Sequence, residues 1–304
     1  MDKIHFPYRS ESHLPFLHVV GESGSWEKHG LQVEYDYHIS SRDAHQNVAD
    51  GSVEFVGGNH ISTYAKRAEG DSWVYLGQTV SILNHCLAVK PESTIFRVSD
   101  LRGKVLATHG EHPGLNDWLV IRQNGLDGEV EMQRFKRETP HWKAVCDGKA
   151  DAAFVNAPAD LFAKRAGLRL IEVDPLPMVW FTTVSTNLPF VEKHPDIVDK
   201  FLRGLIEGIA YFKTNRAEAI RIIQAKYRHR GEALDQEAVA HVYDDLAKIL
   251  MPKPYASMQA ISNVYELAKK LNKDAEKVEP MSLWDFHFVR RIDDSGFIDD
   301  LYKL

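Results

Sequence analysis

Six of the chain's 15 histidines fall in a few short polar loops: His13, His45, His60, His109, His112 and His141. Imidazole titrates near neutrality, so this enrichment suits proton transfer, metal ligation or hydrogen bonding to a ligand. His60 follows Gly57-Gly58-Asn59, where glycines permit close backbone approach, and it precedes a helical stretch whose N-terminus disfavours imidazolium. His60 and His13 are therefore the candidates for moving a proton. His109 and His112 have the spacing of a metal pair, but Pro113-Gly114 follows and there is no HExxH helix, so no metal is expected. The run from Gly110 to Leu115 enters a helix near Asn116, and its amides suit a carboxylate, sulfonate or phosphate. That run is no GxxxxGK[ST] loop, which disfavours nucleotide hydrolysis. Arg42 and Arg137 are cations at expected strand ends, placed to pair with an anionic ligand. Ser10, Glu11, His45, Asn59, His109, His112, Asn116 and Asn156 share these loops and complete the candidate ligand-binding set, with Trp180 as a ring that can stack. Ser10, Ser12 and Cys146 show no nucleophile elbow, and no cofactor is implied.

These residues need elements to position them, and an internal echo supplies those elements. Residues 3–70 and 104–168 each read as strand, polar loop, helix, strand, helix, strand, helix. Lys3-Ile4-His5-Phe6 answers Lys104-Val105-Leu106-Ala107, and Gly30-Leu31 answers Gly125-Leu126. Further along, Val48-Ala49-Asp50-Gly51 answers Val145-Cys146-Asp147-Gly148, and Ala65-Lys66-Arg67-Ala68 answers Ala163-Lys164-Arg165-Ala166. Strands alternating with helices imply βαβ units, so the expectation is an α/β chain of two similar parallel-sheet lobes. Ligands of such sheets bind beyond the carboxyl ends of the strands, which places the candidate residues in a cleft between the lobes. The expected division is lobe one at 1–87, lobe two at 88–184, and an all-helical segment at 185–304 that completes lobe one.

Composition narrows the classes of function. The 304 residues are 44% hydrophobic and 26% charged, as in ordinary globular proteins, and are too many for one core. No apolar run is long enough to span a membrane. With 37 basic and 43 acidic side chains in no long single-sign block, nucleic acid is not expected as a partner. Two cysteines are too few for a disulfide framework, and the N-terminus carries no secretory signal. The chain so read is cytoplasmic, or periplasmic if a signal segment has been removed.

Gly21-Glu22-Ser23-Gly24-Ser25-Trp26-Glu27-Lys28-His29-Gly30-Leu31-Gln32-Val33 and Val48-Ala49-Asp50-Gly51-Ser52-Val53-Glu54-Phe55 resemble signatures of nitrate-, taurine- and alkanesulfonate-type solute-binding proteins. Val98 to Val105, Asp147 to Ala152 and Pro195 to Leu202 extend the resemblance. It implies a two-lobed type 2 periplasmic-binding-protein fold with a helical C-terminal extension. The family holds receptors of ABC importers and also cytoplasmic enzymes: a pyrimidine synthase of thiamine biosynthesis, an aromatic sulfinate desulfinase and, more distantly, dihydroxyphthalate decarboxylases. Where the synthase has a cysteine-rich run this chain has Met178-Val179-Trp180-Phe181-Thr182-Thr183, and where the desulfinase has its cysteine this chain has Ser10-Glu11-Ser12-His13. The desulfinase's loop histidine falls near His45. Two functions follow as expectations. One is a cytoplasmic lyase, decarboxylating or desulfinating a small anionic substrate such as an aromatic acid. The other is an importer's receptor for a sulfonate, carboxylate or pyrimidine-like ligand, with an ABC permease as its partner.

Overall fold

The structure, a computed structural model, describes residues 1–58, 60–109, 111–136, 140–180, 182–231 and 234–303. It divides into two compact units, Met1–Ile82 with Pro177–Leu304, and Leu83–Leu176.

In the first unit, strands β1 (Asp2–His5) and β2 (Leu31–Glu34) run parallel. Strand β3 (Val56–Gly57) continues the sheet beside the end of β1, where Tyr8 forms parallel bridges to both His38 and Gly57. Strand β4 (Trp73–Gln78) leads to the short β5 (Ile82–Leu83). The chain returns through β11 (Leu176–Pro177) to β12 (Thr183–Asn187), which lies antiparallel between β3 and β4. Through the Tyr8–Gly57 bridge the pair β2-β1 adjoins the three strands β3-β12-β4, giving the order β2-β1-β3-β12-β4.

In the second unit, β6 (Cys86–Val89), β7 (Val105–His109), β8 (Glu131–Phe135), β9 (Ala152–Val155) and β10 (Arg169–Glu172) form one sheet, ordered β8-β7-β9-β6-β10. Strands β7, β8 and β9 are mutually parallel, while β6 runs antiparallel to both neighbours. The two sheets thus have the same plan, and the sequence echo is its signature. An all-parallel sheet was the simpler reading. The strand arriving from the other unit instead enters from the opposite end, and so each sheet is mixed.

Helices join the strands in both units. In unit one these are α1 (Leu14–Glu22), α2 (Ser25–Lys28), α3 (Ser41–Asp50) and α4 (Ser62–Ala68). In unit two they are α5 (Glu111–Gln123), α6 (His141–Cys146) and α7 (Ala159–Arg165). Ser40 caps α3 by accepting the Asp43 N–H at 3.1 Å. After β12, α8 (Leu188–Lys193) and the 20-residue α9 (Pro195–Thr214) begin the helical segment. The buried stripe of α9, Val198, Phe201, Leu202, Leu205, Ile209 and Phe212, has helical spacing and fills the unit-one core. Phe201 stacks on Phe55 at 4.1 Å and on Trp26 at 5.5 Å, and the Trp26 indole N–H donates to the Phe201 carbonyl at 3.2 Å. Gly204 and Gly208 let α9 approach this closely, because a Cβ at either would overlap Trp26 or Val20. Near the C-terminus Trp284 packs on Tyr75 at 4.7 Å, docking the last short helices. Among the described residues no helix is long and apolar enough to cross a membrane, and neither Cys86 nor Cys146 is in a disulfide.

Candidate functional site

The polar groups of unit one gather where β1, β3 and β12 meet. Strand β1 runs on as Pro7-Tyr8-Arg9, held by bonds from Gly57 N–H to the Pro7 carbonyl at 2.9 Å and from Arg9 N–H to the Gly57 carbonyl at 3.2 Å. Gly58 continues into the site with φ +117°, a conformation that favours glycine, and donates its N–H to the Thr183 carbonyl at 2.9 Å. A Cβ there would stand 3.1 Å from the Arg9 Cβ and 3.5 Å from the His13 Cε1, so the missing side chain is what admits both neighbours.

A hydrogen-bonded chain reaches the His60 Nδ1 and sets its tautomer. The Gln78 Nε2 donates to the Val80 carbonyl at 2.5 Å, which leaves Oε1 as the acceptor for the Thr183 hydroxyl at 2.5 Å. With its proton so committed, Thr183 Oγ1 accepts from the His60 Nδ1 at 2.9 Å. The proton of neutral His60 therefore sits on Nδ1 and the lone pair on Nε2. Gln78 and Thr183 are fully buried, while His60 is half-buried.

His13 is a different kind of group. It is buried, its Nδ1 lies 3.2 Å from the Thr182 hydroxyl, and its pKa is pulled down to about 3, first by burial and then by the Arg9 charge. It is a neutral hydrogen-bonding partner at physiological pH. Arg9 donates through Nη1 to the Ile39 carbonyl, and its Nε is buried with no hydrogen-bond partner among the described residues. Burial lowers the Arg9 pKa, with Asp43 opposing. A partly buried guanidinium with an unspent donor suits an anion, and sequence reasoning missed it. The only signal was its position immediately after a strand, opposite two glycines.

The remaining expected residues of unit one scatter. Ser10 caps the turn Glu11–His13 and bonds Ser12 Oγ at 2.8 Å. Glu11 is exposed and pairs with Arg230 at 3.3 Å. Arg42 is exposed on the first turn of α3. His45 bonds inward, from Nδ1 to Asp71 at 3.0 Å and from Nε2 to Ser62 at 3.1 Å. Trp180 is half-buried against the core.

In unit two the His109 and His141 rings stand 4.4 Å apart at the carboxyl ends of the strands. His141 Nε2 bonds the Phe154 carbonyl, so its proton is on Nε2, and its buried Nδ1 has no partner among the described residues. Its pKa falls to about 4, mainly through burial, with the Phe154 carbonyl opposing and His109 adding to the fall. Asn116 is buried on α5, and desolvation raises the pKa of its neighbour Asp117 well above the usual carboxylate range. Asn156 is half-buried just beyond β9. Asn59, Gly110 and Arg137 lie outside the described residues, as does the side chain of His112. No cluster of three or more metal-ligating side chains occurs among the described residues.

The family model described as NMT1/THI5 like matches residues 12–219. No curated protein sequence matches the chain. Among solved structures it resembles the periplasmic aliphatic sulphonate binding protein SsuA from Escherichia coli, with 16% identity, a TM-score of 0.67, and 90% of this chain and 88% of that one covered. It also resembles the alkanesulfonate-binding protein SsuA from Xanthomonas axonopodis pv. citri bound to MOPS, with 14% identity, a TM-score of 0.63, and 92% and 96% covered. A mutant of the desulfurization enzyme DSZB in complex with biphenyl-2-sulfinic acid is similar at 14% identity and a TM-score of 0.64, with 97% of this chain and 99% of that one covered. These likenesses show the periplasmic-binding-protein fold, shared by receptors and an enzyme.

Proposed function

We propose a function from the premise that this chain belongs to the NMT1/THI5-like family: it binds a small anionic organic molecule and breaks a carbon–carboxylate or carbon–sulfinate bond in it. The supporting observation is the Gln78-Thr183-His60 chain, which leaves the lone pair of a half-buried imidazole on Nε2. That is the form a general base needs. Arg9, whose guanidinium is only partly buried, holds the anionic group, and His13 and Thr182 supply neutral polar contacts beside it. His60 takes a proton from water as the hydroxide adds to the leaving group, then returns that proton to the carbon. A sulfinate so treated gives the hydrocarbon and bisulfite; a carboxylate gives the hydrocarbon and bicarbonate. This reading goes with a cytoplasmic location.

The second reading is a receptor for an ABC importer, working outside the cytoplasm with a permease as partner. It is supported by the likeness to sulfonate-binding SsuA proteins. One experiment separates the two. Aromatic carboxylates, sulfinates, sulfonates and pyrimidines are screened for thermal stabilisation, and each ligand that binds is incubated in large excess and quantified by chromatography. The lyase reading expects many turnovers, reduced about 100-fold or more in His60→Gln with ligand stabilisation retained. Stable ligand bound one-to-one overturns it in favour of the receptor.

A further inference from the structure

A second polar relay lies in unit one, built by α3, α4 and the start of β4. Asp71 Oδ2 accepts from the His45 Nδ1 at 3.0 Å, and its other oxygen takes the Trp73 N–H at 3.0 Å. Burial opposes the charge of Asp71. The His45 bond and charge, the Trp73 amide and Arg67 outweigh it, so the carboxyl is held below its ordinary value and ionised. A carboxylate only accepts, so His45 Nδ1 carries the proton and Nε2 must accept. Its partner at 3.1 Å is the Ser62 hydroxyl, which therefore points its proton at the imidazole. Ser41 lies 3.1 Å from the same oxygen and, with the Ser62 proton already committed, is the donor in that pair. The His45 ring is braced by Trp73 at 4.8 Å. Ser62 is half-buried, within reach of a small reagent.

We propose that Ser62, His45 and Asp71 form a nucleophilic relay that takes acyl groups from small carboxylic esters. A tie between two helices needs no particular proton order, whereas here each proton is directed from serine to imidazole and from imidazole to carboxylate. Ser62 Oγ attacks the ester carbonyl, and His45 Nε2 takes its proton. The C–OR bond breaks and the alkoxide leaves as the alcohol with that proton. Water, deprotonated by His45, then attacks the acyl-serine and releases the carboxylic acid, and the proton returns to Ser62 Oγ. Asp71 holds the ring in register and offsets the imidazolium charge. This activity is independent of the lyase reading, since it uses neither His60 nor Arg9.

The test is covalent labelling of the full chain with a small alkyl fluorophosphonate, followed by intact mass and peptide mapping. One adduct is expected, mapped to Ser62, with fluoride displaced. Labelling should be lost in Ser62→Ala, retained in Ser41→Ala and slowed about 100-fold or more in His45→Gln, with p-nitrophenyl acetate hydrolysis following the same order. An unlabelled wild-type chain, or an adduct mapped elsewhere, overturns the proposal. The mapping uses the unaltered chain, so the result stands even where a variant fails to fold.

Discussion

Thr183→Val tests whether the buried chain behind His60 sets its protonation. Valine keeps the shape of threonine, so no large cavity forms, but the Gln78 Oε1 loses a hydroxyl donor at 2.5 Å and the His60 Nδ1 loses its acceptor at 2.9 Å. Taking the Thr183 hydroxyl from a buried amide oxygen costs about 1–3 kcal/mol, and the half-buried imidazole, which water can reach, adds about 0.5–1 kcal/mol. The sum is about 1.5–4 kcal/mol, or a fall of about 3–16 °C in melting temperature for a unit of this size. Thr183→Ser keeps the hydroxyl and should cost about 1 kcal/mol, the value of a lost methyl group. Denaturant unfolding measures the stability, and long-range nitrogen–proton NMR of the His60 ring reads which nitrogen carries the proton. The wild type should show Nδ1–H, and Thr183→Val a mixture of tautomers. A destabilisation below about 0.5 kcal/mol, or a wild-type ring protonated on Nε2, would refute the derivation.

Two further outcomes follow from the same site. His13 has its pKa lowered from 6.5 to about 3, so the unfolded chain takes up its proton first. Stability from this group is complete above the unfolded value and is lost as pH falls toward about 3, by at most about 1.4 kcal/mol per pH unit. His13→Gln should remove about one proton from the pH dependence of unfolding; an unchanged slope would mean the ring is not buried neutral. Gly58→Ala imposes φ +117° on a residue with a Cβ and brings it against Arg9, which should cost about 1–3 kcal/mol and weaken binding of any anion that Arg9 holds. A melting temperature equal to wild type would show that the loop relaxes freely.

The architecture was legible because the echo keeps glycines, apolar runs and polar loops in register across two copies, and both sheets carry the same strand order. His60 could be singled out from its neighbours Gly57 and Gly58 alone. Its proton order could not, since Thr183 and Gln78 lie 123 and 105 residues away along the pairs concerned. Periodicity reports which face of an element is buried, not which polar groups meet across a sheet. For the same reason Arg42 drew notice as a cation at a strand end, while Arg9, bonded to Gly57 just beyond β1, passed as a loop residue. His45 was recognised by position, but its partners Asp71 and Ser62 come from elements that the helical pattern treats as separate.

The order of synthesis has a bearing on how this chain acquires its fold. Strand β12 fills the gap between β3 and β4, yet its residues leave the ribosome only after the whole of Leu83–Leu176. The inserted unit owns a contiguous stretch of chain and can close its sheet at once. The host unit waits with two separated strand edges exposed until residue 187 has emerged, and then needs α9 to cover its core. Nascent chains cut short between β10 and β12 should therefore be the ones that engage chaperones, with the inserted unit already formed and the polar chain at His60 not yet assembled.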